Sequence, residues 1–255
     1  MKNEQPKLLF FDIENTMMKI FSWGRWEQNA VAVDQESYIL SMSYKYFGEK
    51  KTHVLALPDF KGYKPNTTND KKLIIAIHKI LSSAEILCGQ NSDSFDIKKL
   101  NTRFIYYGLT PINTYKTIDT LKIAKKHFAF SSNSLNELGK YLGLGEKVKT
   151  GGVDLWLKCM AGNKSAWKLM KKYNKMDVIL LEKVYNKLAP WIKTYPKVSD
   201  PKAPTKELEC RSCGKQCTKN GIRRCVNYSY VRLYCPSCGH WSRGPDVIAN
   251  DKTTV

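Results

Sequence analysis

The chain has 255 residues, 42% of them hydrophobic, and its 42 Lys and Arg outnumber 23 Asp and Glu for a formal charge of +19. That length holds one domain with a full core plus a small appendage, and the apolar content excludes a disordered or fibrous chain. No apolar run approaches the ~18 residues a membrane helix needs, so the excess of base points to a polyanionic partner, nucleic acid first.

The first residues, MKNEQP, are short and polar, so we expect no signal peptide and a cytoplasmic, reducing setting. Residues 8–13 (LLFFDI) form the kind of apolar run that a buried central strand shows. Residues 37–47 and 52–57, rich in aromatic and β-branched side chains, read as two more strands. Residues 73–82 have helical spacing and follow Asn69 and Asp70, both good caps. A strand near 85–88 and a helix from about Asp96 that stops before Gly108 come next, with a further strand over 114–118. Ser134 and Glu137 make a capping box for a short helix. Residues 153–160 form a helix that ends at Gly162, and a long helix covers 165–188, with Asn163 near its start and Pro190 past its end. Three strands followed by alternating helices and strands predict an α/β domain with a mixed sheet.

Four prolines (Pro190, Pro196, Pro201 and Pro204) then fall within fifteen residues, a composition that favours extended backbone and reads as a linker. Six of the eight cysteines lie beyond it. We therefore expect a first domain over residues 1–190, a linker over 191–208 and a small domain over 209–255. Their charges are spread, +12 over residues 1–189 and +7 over 190–255.

Four acids stand where a core is expected. Asp12 interrupts the first apolar strand, and the period of two places Glu14 on its face. An ionised carboxylate in a central strand is costly unless it is paired or binds a metal. A second D-x-E, Asp34 to Glu36, lacks the apolar run before it and reads as a solvated loop or strand end. In the last helix Trp167, Met170, Asn174, Asp177, Leu181, Val184 and Leu188 recur at three- and four-residue steps, so Asp177 lies on the core-facing stripe with Tyr173 one turn before it. Asp119 reads as a helix N-cap, and Asp96 opens a helix after Asn91 and Phe95.

The segments FFDIE (10–14), NSDSFD (91–96) and YNKMD (173–177) resemble, in order and placement, the three exonuclease motifs of the DEDDy or DnaQ-like nuclease superfamily. The stretch from Thr150 to Trp191 is similar to the phage and bacterial YprB-like branch. The resemblance spans roughly residues 7–190 and implies a ribonuclease-H-like mixed sheet flanked by helices. It further implies 3′–5′ removal of nucleoside monophosphates, with Asp12, Glu14, Asp96 and Asp177 as metal ligands and Tyr173 orienting the attacking water. Many members of that family carry Thr directly after the first Glu, whereas here Asn15 intervenes before Thr16. Phosphodiester hydrolysis needs an activated water and charge neutralisation, which two Mg²⁺ or Mn²⁺ ions about 3.5–4 Å apart supply. Hard cations prefer carboxylate oxygen, in keeping with four acids and no His or Cys at the centre.

Asn91 and Phe95 are expected to touch the strand, and Lys147, Lys149 and residues 150–152 are candidates to hold it, although a solvated loop before a helix is the favoured reading of that segment. Cys88 and Cys159 read as core residues, and His53, His78 and His127 carry no assigned role.

In the tail, Cys210-x2-Cys213 and Cys235-x2-Cys238 are two knuckles 21 residues apart, the spacing of a zinc ribbon built on one structural Zn²⁺. A disulfide pair is the alternative, disfavoured in a reducing setting. Cys217 and Cys225 read as free thiols or substitute ligands, with His240 a weaker candidate. Arg223, Arg224, Tyr230, Arg232, Trp241 and Arg243 interleave cations with aromatics, which suits phosphate contact and base stacking; a solvated basic hairpin is the bland alternative.

The reading as a whole is a metal-dependent 3′–5′ exonuclease with single-stranded DNA favoured as substrate. Three rivals remain: a non-catalytic nucleic-acid-binding adaptor on a nuclease fold, an RNA-trimming exoribonuclease, and proofreading with a polymerase or replication partner. If the chain is phage-encoded, its setting is the host cytoplasm.

Overall fold

The computed structural model describes residues 7–26, 29–64, 66–112, 116–192, 208–210, 213–224 and 228–249, with the side chains at 223, 224, 228 and 245–249 left aside. The chain divides into two compact units, Leu8–Val184 and a second that holds Tyr185–Val255 with Met1–Lys7.

The first unit is built on a five-stranded mixed sheet. Its strands are β1 (Leu8–Asn15), β4 (Ile39–Tyr46), β5 (His53–Ala56), β6 (Ile86–Gly89) and β7 (Lys116–Asp119), in the order β5-β4-β1-β6-β7. β4 runs antiparallel to both β1 and β5, whereas β6 runs parallel to β1 and β7 parallel to β6. β1 is central because its first four residues, LLFF, are buried on both faces. Its parallel pairing to β6 stops at Phe10↔Cys88, while its antiparallel pairing to β4 continues through Asp12↔Ser43 and Glu14↔Ser41. The acid-bearing end of β1 is thus paired on one side and open on the other. A register shift between Glu14 and Asn15 ends the strand, a device that re-aims side chains at sheet margins.

Helices cover the sheet through the apolar stripes their periodicity predicts. α1 (Lys71–Ser82) buries Leu73, Ile74, Ile77 and Leu81, and α2 (Asp96–Tyr106) buries Leu100 and Phe104. α3 (Thr120–His127), α4 (Leu135–Tyr141) and α5 (Val153–Met160) follow. In α6 (Lys164–Leu188) the stripe from Trp167 through Met170, Asn174, Asp177 and Leu181 to Val184 is buried along its length. Asn163 caps that helix by accepting the Ala166 N–H at 3.0 Å.

Several local expectations change. Asp70 precedes α1, but its carboxylate caps nothing; it accepts instead from Arg103, from the Tyr107 hydroxyl at 2.6 Å and from the Ile39 N–H at 2.9 Å. The cap is supplied by Asn69, whose Oδ1 accepts the Lys71 N–H at 3.0 Å. A side chain with three donors converging on it from α2 and its C-terminal end and from β4 does not turn back to its own helix. The capping box at α4 is half made: Ser134 accepts the Glu137 N–H, while the Glu137 carboxylate takes donors from Asn136 and Lys140. β7 begins at Lys116, and residues 113–115 of the expected strand lie outside the described residues. Sequence reading also passed over a small two-stranded sheet of β2 (Lys19–Phe21) and β3 (Ala32–Gln35) between β1 and β4. Asp34 and Glu36 are exposed there, as expected of the second D-x-E.

The second unit contains a three-stranded antiparallel sheet, ordered β10-β9-β8, of β8 (Thr218–Arg224), β9 (Tyr228–Tyr234) and β10 (Trp241–Ala249). Most of the expected linker, residues 193–207, lies outside the described residues, as does Cys225. Among the described residues no helix is long and apolar enough to cross a membrane.

Candidate active site

Two elements bring three carboxylates together. The pleat of β1 points Asp12 and Glu14 to one face, opposite the small Ser43 and Ser41 of β4. α6 lays Asp177 over that face, and oxygens of Asp12, Glu14 and Asp177 lie within 4.8 Å of one another. Asp177 is 1% exposed. One of its oxygens accepts from the Lys147 Nζ at 2.7 Å, and the other is buried with no hydrogen-bond partner. Asn174, one turn before Asp177, holds Asp12: its Nδ2 donates to Asp12 Oδ2 at 2.7 Å, while its Oδ1 accepts from the Ser41 hydroxyl at 3.0 Å.

Asp96 stands beside this group. It opens α2, is 5% exposed, and its Oδ1 accepts the Ile13 N–H at 3.1 Å on the open edge of β1. Gly89 makes that approach possible at the end of β6: a Cβ there would meet the Ser92 side chain at 2.4 Å. Asp119 caps α3 by accepting from Leu121 and Lys122, and also takes the Asn91 N–H at 2.9 Å, which supports its structural reading.

Crowding dominates the electrostatics. Burial, then Glu14, Asp96 and Asp177, hold Asp12 well above the usual carboxylate range. Burial and then Asp177 push Glu14 to about 8, and burial pushes Asp96 to about 6. Asp177 is raised by burial too, with Lys147 opposing. Burial alone would lower Lys147, but Asp177 and Tyr173 overcome it and keep the ammonium protonated. Tyr173 is raised by burial and by Asp177, so its hydroxyl keeps its proton; Lys147 donates to it at 3.2 Å. The Trp156 indole is edge-on to Tyr173, with ring centroids 5.9 Å apart, and its proximity lowers Glu14 slightly against the larger effects of burial and Asp177.

Beside the acids lies a cleft of about 570 Å³ lined by Met17, Met18, Phe95, Lys99, Val153 and Trp156. Phe95 is 42% exposed in it. Lys149 is exposed and lines no part of this cleft; Lys147, two residues earlier, is the lysine drawn into the acids. Asn91 adopts the left-handed conformation (φ 58°) in the turn after β6. A larger cavity of about 990 Å³, at Phe60, Tyr63 and Trp167, is lined by none of these residues. Sequence reading offered Lys147 only as a possible strand contact and favoured a solvated loop for it, and it missed Asn174 as a member of the site. The signal for Asn174 was present, an amide on a core stripe one turn from Asp177.

A family model described as the RNase H superfamily matches residues 9–189. The chain belongs to that superfamily. No curated protein matches it. Among solved structures, the family B DNA polymerase from the hyperthermophilic archaeon Pyrobaculum calidifontis is similar, with a TM-score of 0.54 and 15% identity over 73% of this chain. The chain spans 25% of that polymerase's length, and the likeness is one of fold. The mixed sheet with flanking helices is thus an RNase-H-like nuclease fold.

The second unit of this RNase H superfamily chain carries a different cluster. Cys210, Cys213, Cys235 and Cys238 offer sulfurs within 4.8 Å of one another. Cys210 and Cys238 sulfurs are 3.5 Å apart and those of Cys213 and Cys235 are 3.6 Å apart, well beyond the ~2.05 Å of a disulfide, and all four thiols are free. Burial raises Cys235, yet backbone N–H groups of Cys238 and Ser237 bring it down to about 7. Four converging thiols of which one is acidic fit a tetrahedral zinc ribbon. Cys217 is buried beside them, pushed to about 12, and outside the four-sulfur group. The His240 Nδ1 lies 2.8 Å from the Pro190 carbonyl oxygen, not at the sulfurs.

Strand alternation sorts the tail. Leu233 and Cys235 face the cysteine core, while Tyr230, Arg232 and Tyr234 take the other face, beside their partners Arg243 and Trp241. There Arg232 stacks over Trp241 at 4.1 Å and Arg243 over Tyr230 at 4.9 Å. Arg223 and Arg224 end β8, with side chains outside the described residues.

Proposed function

We propose that the chain is a divalent-metal-dependent 3′–5′ exonuclease that removes nucleoside monophosphates from single-stranded nucleic acid, DNA in preference to RNA. What carries this reading is the convergence of Asp12, Glu14 and Asp177 with a buried Asp177 oxygen that has no donor. Such a set of hard oxygens suits Mg²⁺ or Mn²⁺ rather than a thiophilic metal. Asp12, Glu14 and Asp177 would hold the ions, with the charge of Asp96 beside them. When bound, such ions supply a water nucleophile that is acidic enough to ionise near neutral pH and neutralise charge on the leaving oxygen.

The chain's own residues do the rest. Asn174 fixes the Asp12 carboxylate, so the acid does not rotate when its charge is neutralised. The protonated Tyr173 hydroxyl orients the attacking water, and the Lys147 ammonium, within 2.7 Å of Asp177, balances negative charge where the phosphoryl group would sit. Direction rests on the resemblance of the three motifs, and the single-strand preference on the unpaired nucleotides that a site accommodating a 3′ end needs. In this reading residues 1–190 are the hydrolytic domain, and residues 209–255 a zinc ribbon whose Arg–aromatic face holds the strand.

The test is digestion of 5′- and 3′-labelled DNA and RNA, single- and double-stranded, in Mg²⁺ or Mn²⁺. Shortening of single-stranded DNA from its 3′ end, lost in Asp177→Asn, is the expected result. Digestion by Asp177→Asn at the unaltered protein's rate overturns the assignment.

A further inference from the structure

The β2–β3 sheet is hydrogen-bonded to neither of the other sheets. Two-stranded ribbons are marginal by themselves, and apolar residues on them normally find cover. Here they are bare: Trp23 is 85% exposed, Trp26 89%, Phe21 60% and Ile20 44%. Tryptophan in that state contributes nothing to a core, so its role lies with a ligand.

Position and composition say which ligand. Residues 17–26 read MMKIFSWGRW, two cations and three aromatics in a ten-residue run, with Glu27 next in sequence and Asp34 in β3. Arg25 lies over the Trp26 ring at 5.8 Å. The run starts three residues after Glu14, and its first two residues, Met17 and Met18, line a cleft together with Trp156 and with Asn15, the residue after Glu14. Flat, sequence-tolerant rings with interleaved cations match unstacked bases and their phosphates.

We propose that the β2–β3 hairpin is a stacking platform for unpaired bases of the strand that enters the acid site, with Trp23 and Trp26 as its binding residues. The inference rests on the nuclease reading for the strand's destination. It adds what grips the strand outside the acids, and it favours single strands because paired bases offer no free faces.

The test measures binding of a labelled oligothymidylate in buffer with no added Mg²⁺ or Mn²⁺, where no hydrolysis occurs, to the full chain and to two double variants. Trp23→Ala/Trp26→Ala should weaken binding by about tenfold or more, the scale of one or two lost stacks. Its thermal unfolding should be unchanged, as both side chains are exposed. Trp23→Phe/Trp26→Phe keeps flat rings and should restore most of the affinity. It should also lose the share of the oligonucleotide-induced tryptophan quenching that comes from positions 23 and 26, so that quenching is smaller than in the unaltered protein. Equal affinity of the Ala variant and the unaltered protein overturns the proposal and leaves the hairpin as a protein-docking surface. Because binding is read without added Mg²⁺ or Mn²⁺, a failure of hydrolysis tells against the nuclease reading alone.

Discussion

Asp70 and Asp177 are both all but fully buried acids in the same unit, 0% and 1% exposed, and they are opposites. Asp70 accepts from the Arg103 guanidinium, the Tyr107 hydroxyl and the Ile39 N–H, and it ties α1, α2 and β4 together. Asp177 has one lysine, one oxygen without a donor, and two carboxylates for neighbours. A buried acid whose acceptors are filled belongs to the fold. One left unfilled among like charges carries a cost that a proton or an incoming metal cation relieves. Incompleteness, not burial, marks the functional acid.

Variants at the two acids should therefore fail in different measurements. Asp177→Asn should lower hydrolysis of a labelled strand by at least about 10²-fold, the scale of removing one group that stabilises transition-state charge. Its urea midpoint should stay near that of the unaltered chain. Arg103→Leu strands the Asp70 charge and should cost about 3–5 kcal/mol of stability, read as a lower urea midpoint, while the folded fraction still hydrolyses. If Arg103→Leu lost activity and kept its midpoint, the contrast between the two acids would be wrong.

The cysteine cluster extends the contrast to a site whose ligands are already gathered. Removing its metal with a thiophilic chelator should release about one equivalent of Zn²⁺ and unfold the ribbon, because so small a sheet has little apolar core of its own. The acid-site domain should keep its own unfolding transition. Retention of ribbon amide protection after chelation would mean that the four thiols are structural without a metal.

Much of this was legible in the sequence. Period two placed Asp12 and Glu14 on one face, and the heptad-like stripe placed Asp177 in the core, because regular elements have fixed geometry. What stayed hidden depends on partners distant along the chain. Asp70 and Asp96 both stand at a helix start, and nothing local says that Arg103 will fill one, 33 residues away. Lys147 sits in an irregular segment between α4 and α5, where no periodicity assigns a direction, so it read as solvated. The β2–β3 hairpin buries nothing, and so its apolar residues carried no core signal.

The subtlest effect concerns Asp12, whose charge is unwelcome in the metal-free fold. A carboxyl raised on folding favours the protonated state, so its stabilising share is complete below the unfolded carboxylate range and is lost as pH rises through the folded value. For Asp96 and Glu14 those values are about 6 and about 8, and Asp12 is raised as well. With no added divalent metal the melting temperature of the acid-site domain should therefore fall between about pH 5 and pH 8. Lys147 stays protonated across that window and does not reverse the sign. Asp12→Asn keeps an acceptor for Asn174 and removes one charge from the cluster, so it should melt a few degrees higher than the unaltered chain at the upper end, each kcal/mol being worth about 2–4 °C in a chain of this size. Adding Mg²⁺ should erase that advantage, since the cation rewards the carboxylates the variant lacks. Calorimetry of the two proteins with and without Mg²⁺ reads this directly, and an advantage that persists in Mg²⁺ would mean that Asp12 is not among the metal's ligands.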